Sequence, residues 1–234
     1  MKRLPSIVIL TGVFTCMGFL YATEETITCP AGMIKVKDFC IDKYEAPNQK
    51  GDEPLVMYSM VESEAWCQAR GKRLCYDDEW TKACVGPKDL PWKYGTKYEK
   101  GVCNDSKTWI KYSKYYLGVW RKGFSNPEVD SFLGLLSNAE KHSAISYEAA
   151  NHIHELYQAE PSGAMERCVS GYGVYDMLGN VEEWTKKRKT RRGYFNGRLK
   201  GRFWSEPRNC RQSVSNHGDL FRFYETGFRC CRDL

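Results

Sequence analysis

The chain has 234 residues, of which 14% are aromatic and 27% charged, with a net charge of +6 and 11 cysteines. That length suits one domain, or one domain with an insertion, and the aromatic content excludes an intrinsically disordered chain. The charge is a mild excess, falling to +4 without Lys2 and Arg3, and is too small to be a nucleic-acid footprint.

Lys2 and Arg3 precede an apolar run from Ile7 to Leu20, and small Ala22 stands just before Glu24 and Glu25. That order of positive region, apolar core and small residue is that of a secretory signal peptide, expected to be cleaved after Ala22. The run is short for a membrane-spanning helix, so the mature chain, residues 23–234, is expected to carry no transmembrane segment. Losing Cys16 with the leader leaves ten cysteines, an even number, with no Cys-x-x-Cys pair to suggest zinc. Up to five disulfides in an exported protein, periplasmic or secreted to the cell surface, are the expectation.

In the mature chain, Cys29 to Cys40 encloses a Pro-Ala-Gly turn and the apolar positions Met33, Ile34, Val36 and Phe39, which reads as a strand pair closed by a local Cys29–Cys40 bridge. Val61 to Arg70 reads as a helix burying Ala65, Trp66 and Ala69, with Gly71 as its C-terminal glycine. A second helix follows, capped by Asp77 or Asp78 and turning Trp80 and Ala83 inward. Residues 105–167 read as an insertion. Its apolar and aromatic residues Tyr112, Tyr115, Tyr116, Val119 and Trp120 lie among lysines, and Ser137 to Tyr157 reads as helical with Ala144, Ile145, Ala149, Ile153 and Leu156 on one side. A lid over the core is favoured over a partner-binding face. His152 and His154, two apart on a helix, point different ways and are expected to be surface histidines.

The segment Gly171-Tyr-Gly-Val-Tyr-Asp-Met-Leu-Gly-Asn-Val-Glu-Glu-Trp184 reads as a rigid turn. Its glycines allow backbone conformations that a Cβ forbids, and its apolar residues pin the turn to a core. Asp176 and Glu183 stand at its two ends with backbone carbonyls between them. Hard cations such as calcium take that mixture, while the alternative is that both carboxylates only hold turns together. Beyond Trp184 lies a basic run, Lys186-Lys-Arg-Lys-Thr-Arg-Arg192, continued by Arg198, Lys200 and Arg202. It is either a solvated loop or a surface for an acidic polymer, nucleic acid being the least expected partner.

Five blocks in order resemble the formylglycine-generating enzyme (sulfatase-modifying factor) family. Phe39 to Asn48 is similar to the opening Phe-x-Ile-Asp-x-Tyr-Glu strand, and Val61 to Cys84 to the long Gly-Lys-Arg-Leu block with its two helices. Leu90-Pro-Trp-Lys-Tyr-Gly95 is similar to a Tyr-Pro-Trp-Gly turn, and Gly171 to Trp184 to the Gly-Leu-Tyr-Asp-Met-x-Gly-Asn-Val-Trp-Glu-Trp signature. Gly201 to Cys231 is similar to the closing strands ending in Gly-Phe-Arg-Cys. The resemblance implies a compact α+β fold akin to C-type lectins, poor in regular structure and rich in disulfides. It implies the bridges Cys67–Cys230 and Cys84–Cys210. Cys75, Cys103, Cys168 and Cys231 remain, with Cys103–Cys168 and Cys75–Cys231 as the expected arrangement. It also implies calcium at Asp176, Gly179, Val181 and Glu183, the glycine and valine contributing backbone carbonyls.

The family's catalysis rests on two cysteines that bind copper(I), and soft thiolates are what that ion needs. In this chain the corresponding interval is Ser205-Glu-Pro-Arg-Asn209, free of cysteine. No copper and no formylglycine-generating activity are therefore expected. The first reading is an exported, non-catalytic binding or structural scaffold of the cell envelope. The second is an enzyme of other chemistry acting on a peptide or envelope component, with Arg211, Asn216, His217, Asp219, Arg222 and Glu225 as its polar groove. The third is a surface protein that binds acidic polymers through residues 186–202.

Overall fold

The computed structural model describes residues 28–120, 129–141, 144–190, 192 and 194–234, and the expected leader at 1–22 lies outside them. Residues Met33–Val36 (β1) and Phe39–Asp42 (β2) form a hairpin whose turn places Lys37 at φ +54°. Strand β2 pairs with Cys230–Asp233 (β8), which pairs in turn with Arg73–Leu74 (β3), so the two ends of the domain share one sheet ordered β1-β2-β8-β3. A second sheet contains Glu182–Lys186 (β4), Gly197–Lys200 (β5), Ser213–Val214 (β6) and Thr226–Phe228 (β7) in the order β6-β5-β4-β7. Only the β4–β7 pair in that sheet is parallel.

Between the hairpin and the second sheet lie two helices, Met60–Gln68 (α1) and Asp77–Val85 (α2). Helix α1 starts at Ser59, whose hydroxyl accepts the Glu62 N–H while the Glu62 carboxylate accepts the Ser59 N–H. Such reciprocal capping supplies partners for amides that would otherwise have none. Trp66 is buried as expected, but Ala69 is exposed, because the helix ends at Gln68 and the chain is already turning toward Gly71 at φ +67°. Helix α2 starts one residue earlier than its aspartates suggest. Tyr76 is its N-cap, and Glu79 serves the start of the helix by accepting the Tyr76 N–H at 3.0 Å.

Among the described residues the insertion contains three helices, Lys114–Trp120 (α3), Phe132–Glu140 (α4) and Ala144–Leu156 (α5). The helical stretch expected from Ser137 falls in two helices, because α4 already begins at Phe132 and ends before Lys141. Ala149, Ile153 and Leu156 are buried, the one-face spacing of an amphipathic helix. Tyr58 Oη and Trp66 Nε1 both donate to the Val129 carbonyl, and Phe132 stacks on Tyr157 at 4.3 Å. The insertion is thus packed onto the core. His152 is not a free surface residue either, since its Nε2 accepts the Ser113 N–H at 2.8 Å.

Trp66, Trp80, Trp184 and Trp204 are all fully buried. Each contributes on the order of 5 kcal/mol of transfer free energy, more than any single polar contact in the fold. Five disulfides close the framework: Cys29–Cys40, Cys67–Cys230, Cys75–Cys231, Cys84–Cys210 and Cys103–Cys168.

Candidate functional site

The Gly171–Trp184 turn is where separate parts of the chain meet. Its backbone amides donate to widely spaced segments: Tyr175 to the Lys43 carbonyl, Asp176 to Cys168, Gly179 to Gly201, Asn180 to Asn104 and Glu182 to Glu225, at 2.7–3.1 Å. Gly179 holds φ +74°, and a Cβ there would meet the Asn104 carbonyl oxygen at 2.2 Å, so only glycine fits. Asp176 and Asn180 also sit at positive φ, which short polar side chains tolerate better than others.

Asn180 satisfies all of its side-chain hydrogen-bonding capacity. Nδ2 donates to Glu45 Oε1 at 3.0 Å and to the Glu160 carbonyl at 3.1 Å, while Oδ1 accepts from Asn104 Nδ2 and the Glu160 N–H. Beside it lies a buried group of five ionisable side chains: Glu45, Asp176, Glu183, Lys93 and Arg229. Arg229 clasps Glu183 with two bonds of 2.7 Å, both side chains being 0% exposed, and also donates to the carbonyls of Asp42, Lys43 and Tyr175. Trp80 Nε1 adds a third donor to Glu183 at 2.8 Å. Asp176 Oδ2 accepts the Gly163 N–H at 2.7 Å, and Lys93 Nζ donates to the Cys168 carbonyl at 2.8 Å.

Burial dominates the electrostatics. It pushes the Glu45 carboxyl up to about 8, with the Asp176 charge adding to the effect, and pushes the Lys93 ammonium down to about 7. Asp176 is also raised by burial, and the Lys93 charge is the largest influence working against that rise.

These contacts bear directly on the calcium expectation. The structure does bring Asp176, Gly179, Val181 and Glu183 into one turn. The Glu183 carboxylate, however, is committed to a guanidinium and an indole, and the charge on Asp176 is offset by a lysine. Among the described residues no group of three or more His, Cys, Asp or Glu side chains is placed to hold a metal. As arranged, the donor set does not fit a divalent cation.

The six expected groove residues do not converge. Exposed Arg211 pairs with Asp89 at 2.8 Å, and Asn216 is exposed. His217 stacks on Phe221 at 4.0 Å. Asp219 clamps the Asn196 and Gly197 amides, and Arg222 forks onto Glu62 beneath the start of α1. Glu225 stands apart: it is 7% exposed and accepts from Trp109 Nε1, and burial pushes its carboxyl up to about 7. Glu182, buried and paired with Arg208, acts on it electrostatically. Trp204, whose ring lies 6.0 Å from that of Tyr224, buries an indole N–H that has no hydrogen-bond partner among the described residues.

Part of the basic run is paired with carboxylates within the domain. Lys186 pairs with Glu64, Arg188 with Asp78 and Glu79, and Arg198 with Asp77. Lys187 donates to the Phe195 carbonyl. Sequence reading missed Glu45, Lys93, Asn180, Arg229 and Glu182. The available signals were a lysine following Pro91-Trp92 where the family turn has glycine, and the Arg of the Gly-Phe-Arg-Cys strand.

A family profile for the sulfatase-modifying factor enzyme 1-like domain matches residues 46–234. No curated protein sequence matches the chain. Among solved structures, that of PvdO from Pseudomonas aeruginosa is 15% identical, with a TM-score of 0.49, covering 84% of this chain and 80% of that one. The Major Tropism Determinant P3c variant is 13% identical with a TM-score of 0.45, and covers 88% of this chain and 53% of its own.

Proposed function

Because the chain belongs to the sulfatase-modifying factor enzyme 1-like family and its ten described cysteines are all joined in disulfides, we propose that it is an exported, non-catalytic binding or structural scaffold of the cell envelope. The cysteine pairing carries the reading. A disulfide sulfur is neither a nucleophile nor a copper(I) ligand, and the interval Ser205–Asn209 where the family's enzymes hold their reactive pair has no thiol. Five bridges suit an oxidising compartment outside the cytoplasm. Among the described residues no helix is long and apolar enough to cross a membrane. The test is a count of free thiols on the exported protein, denatured without reductant, with labelled positions mapped. Zero is expected, and two free thiols close in space would overturn the proposal.

Glu225 favours a second reading, an enzyme of other chemistry. A carboxyl held at about 7 by burial can both give and take a proton near neutrality, and Trp109 orients it. Its partner would be a substrate with a transferable proton. Pairing of Lys186, Arg188 and Arg198 within the domain takes up part of the charge on which the acidic-polymer reading rests.

A further inference from the structure

We infer that Lys93, together with Arg229, supplies the positive charge that the Gly171–Trp184 turn needs, so that the turn is held by the chain's own cations and requires no divalent ion. Two carboxylates of this turn, Asp176 and Glu183, and a third from the bend after β2, Glu45, are buried. Burial holds the Glu45 proton up to about 8, and any of these carboxylates that ionises in the interior needs a cation beside it. Arg229 fills that role for Glu183 through two 2.7 Å bonds. Lys93 fills it for the Asp176 side, anchored by its bond to the Cys168 carbonyl and 4% exposed.

The origin of Lys93 makes the substitution legible. The residue following Pro91-Trp92 is a lysine where the similar family turn has a glycine, which sends no side chain inward. A four-carbon stem ending in an ammonium reaches the Cys168 carbonyl, the same oxygen that accepts the Asp176 N–H at 2.9 Å, which places it beside Asp176. Its stem lines a cavity of about 360 Å³ together with Gly86, Pro87, Leu90 and Gly171. Shortening the side chain would therefore remove a charge and leave a path by which a solvent cation could reach the same carboxylates.

The test compares the full-length exported protein with Lys93→Gly by thermal unfolding in EDTA and in millimolar calcium chloride, and by calorimetric titration with calcium chloride. The wild type is expected to melt at the same temperature in both solutions and to show no saturable calcium heat. Lys93→Gly should be destabilised in EDTA and regain roughly 5–10 °C in calcium at about a hundredfold excess over its dissociation constant. If the variant does not accumulate folded, its refolding yield in calcium against EDTA gives the same comparison. A calcium-dependent melting temperature in the wild type would overturn the inference. So would a glycine variant that is unaffected in EDTA, or one that loses stability which calcium does not restore.

Discussion

The Arg229–Glu183 pair offers the sharpest test of what holds the domain together. Replacing Arg229 with methionine keeps much of the volume and removes five donated hydrogen bonds, two to Glu183 and three to backbone carbonyls. Among the described residues, Glu183, 0% exposed, would keep only the Trp80 indole, and Lys93 would be the cation left near Glu45 and Asp176. Breaking a buried pair in this way typically costs about 3–5 kcal/mol, because the remaining charge is stranded rather than because the pair itself is worth that much. For a domain of this size that corresponds to a fall of roughly 6–20 °C in Tm. The assay is denaturant unfolding followed by tryptophan fluorescence, without reductant so that the disulfides stay closed. A double-mutant cycle with Glu183→Gln separates stranding from lost packing. The double variant should be more stable than the sum of the single losses predicts, by at least about 2 kcal/mol. A loss below about 1 kcal/mol for Arg229→Met, or strict additivity in the cycle, would refute the reasoning.

Three further outcomes are expected. Glu225 holds its proton up to about 7 when folded, against an ordinary value of 4.5, so the folded chain binds a proton that the unfolded chain has lost between those pH values. Stability therefore falls as pH rises through that window, by roughly 3 kcal/mol in full. Glu225→Gln should gain on the wild type by that amount between pH 4 and pH 8, and parallel pH–stability curves would count against it. Cys67–Cys230 and Cys75–Cys231 staple nearly the same loop, so either one alone adds closure of only about ten residues while the other stands. Removing one bridge should cost about 3 kcal/mol and removing both about 6 kcal/mol, measured by chemical unfolding; equal losses from the single and double removals would contradict this parallel arrangement. Asn180→Ala strands Glu45, Asn104 and two backbone groups of Glu160, and is expected to cost about 3 kcal/mol or more. A loss within experimental error would show that water replaces those bonds freely.

Local chemistry explains what was legible beforehand. The β1–β2 hairpin, helices α1 and α2 and the Gly171–Trp184 turn depend on short-range signals: apolar residues around a Pro-Ala-Gly turn, inward-facing Trp66 and Trp80, and the glycines of the turn. A local cysteine pair spanning one hairpin is of the same kind. The helix split at 141 and the role of His152 escaped, because both depend on what α5 packs against rather than on its own periodicity.

The candidate site divides in the same way. The sequence by itself determined that carboxylates and carbonyls gather at Asp176–Glu183, that no thiol stands in the interval 205–209, and that the basic run is dense. Only the tertiary structure decided which charges face one another. Lys93, Glu45 and Arg229 lie far from the turn along the chain, yet they share its buried volume, where low polarisability makes each ion's partner decisive. The same is true of Glu225. Its neighbours Trp109 and Glu182 come from the insertion and from β4, and burial rather than residue type sets its affinity for a proton. Residue types fix which ions a chain possesses; long-range packing fixes which of them must neutralise one another.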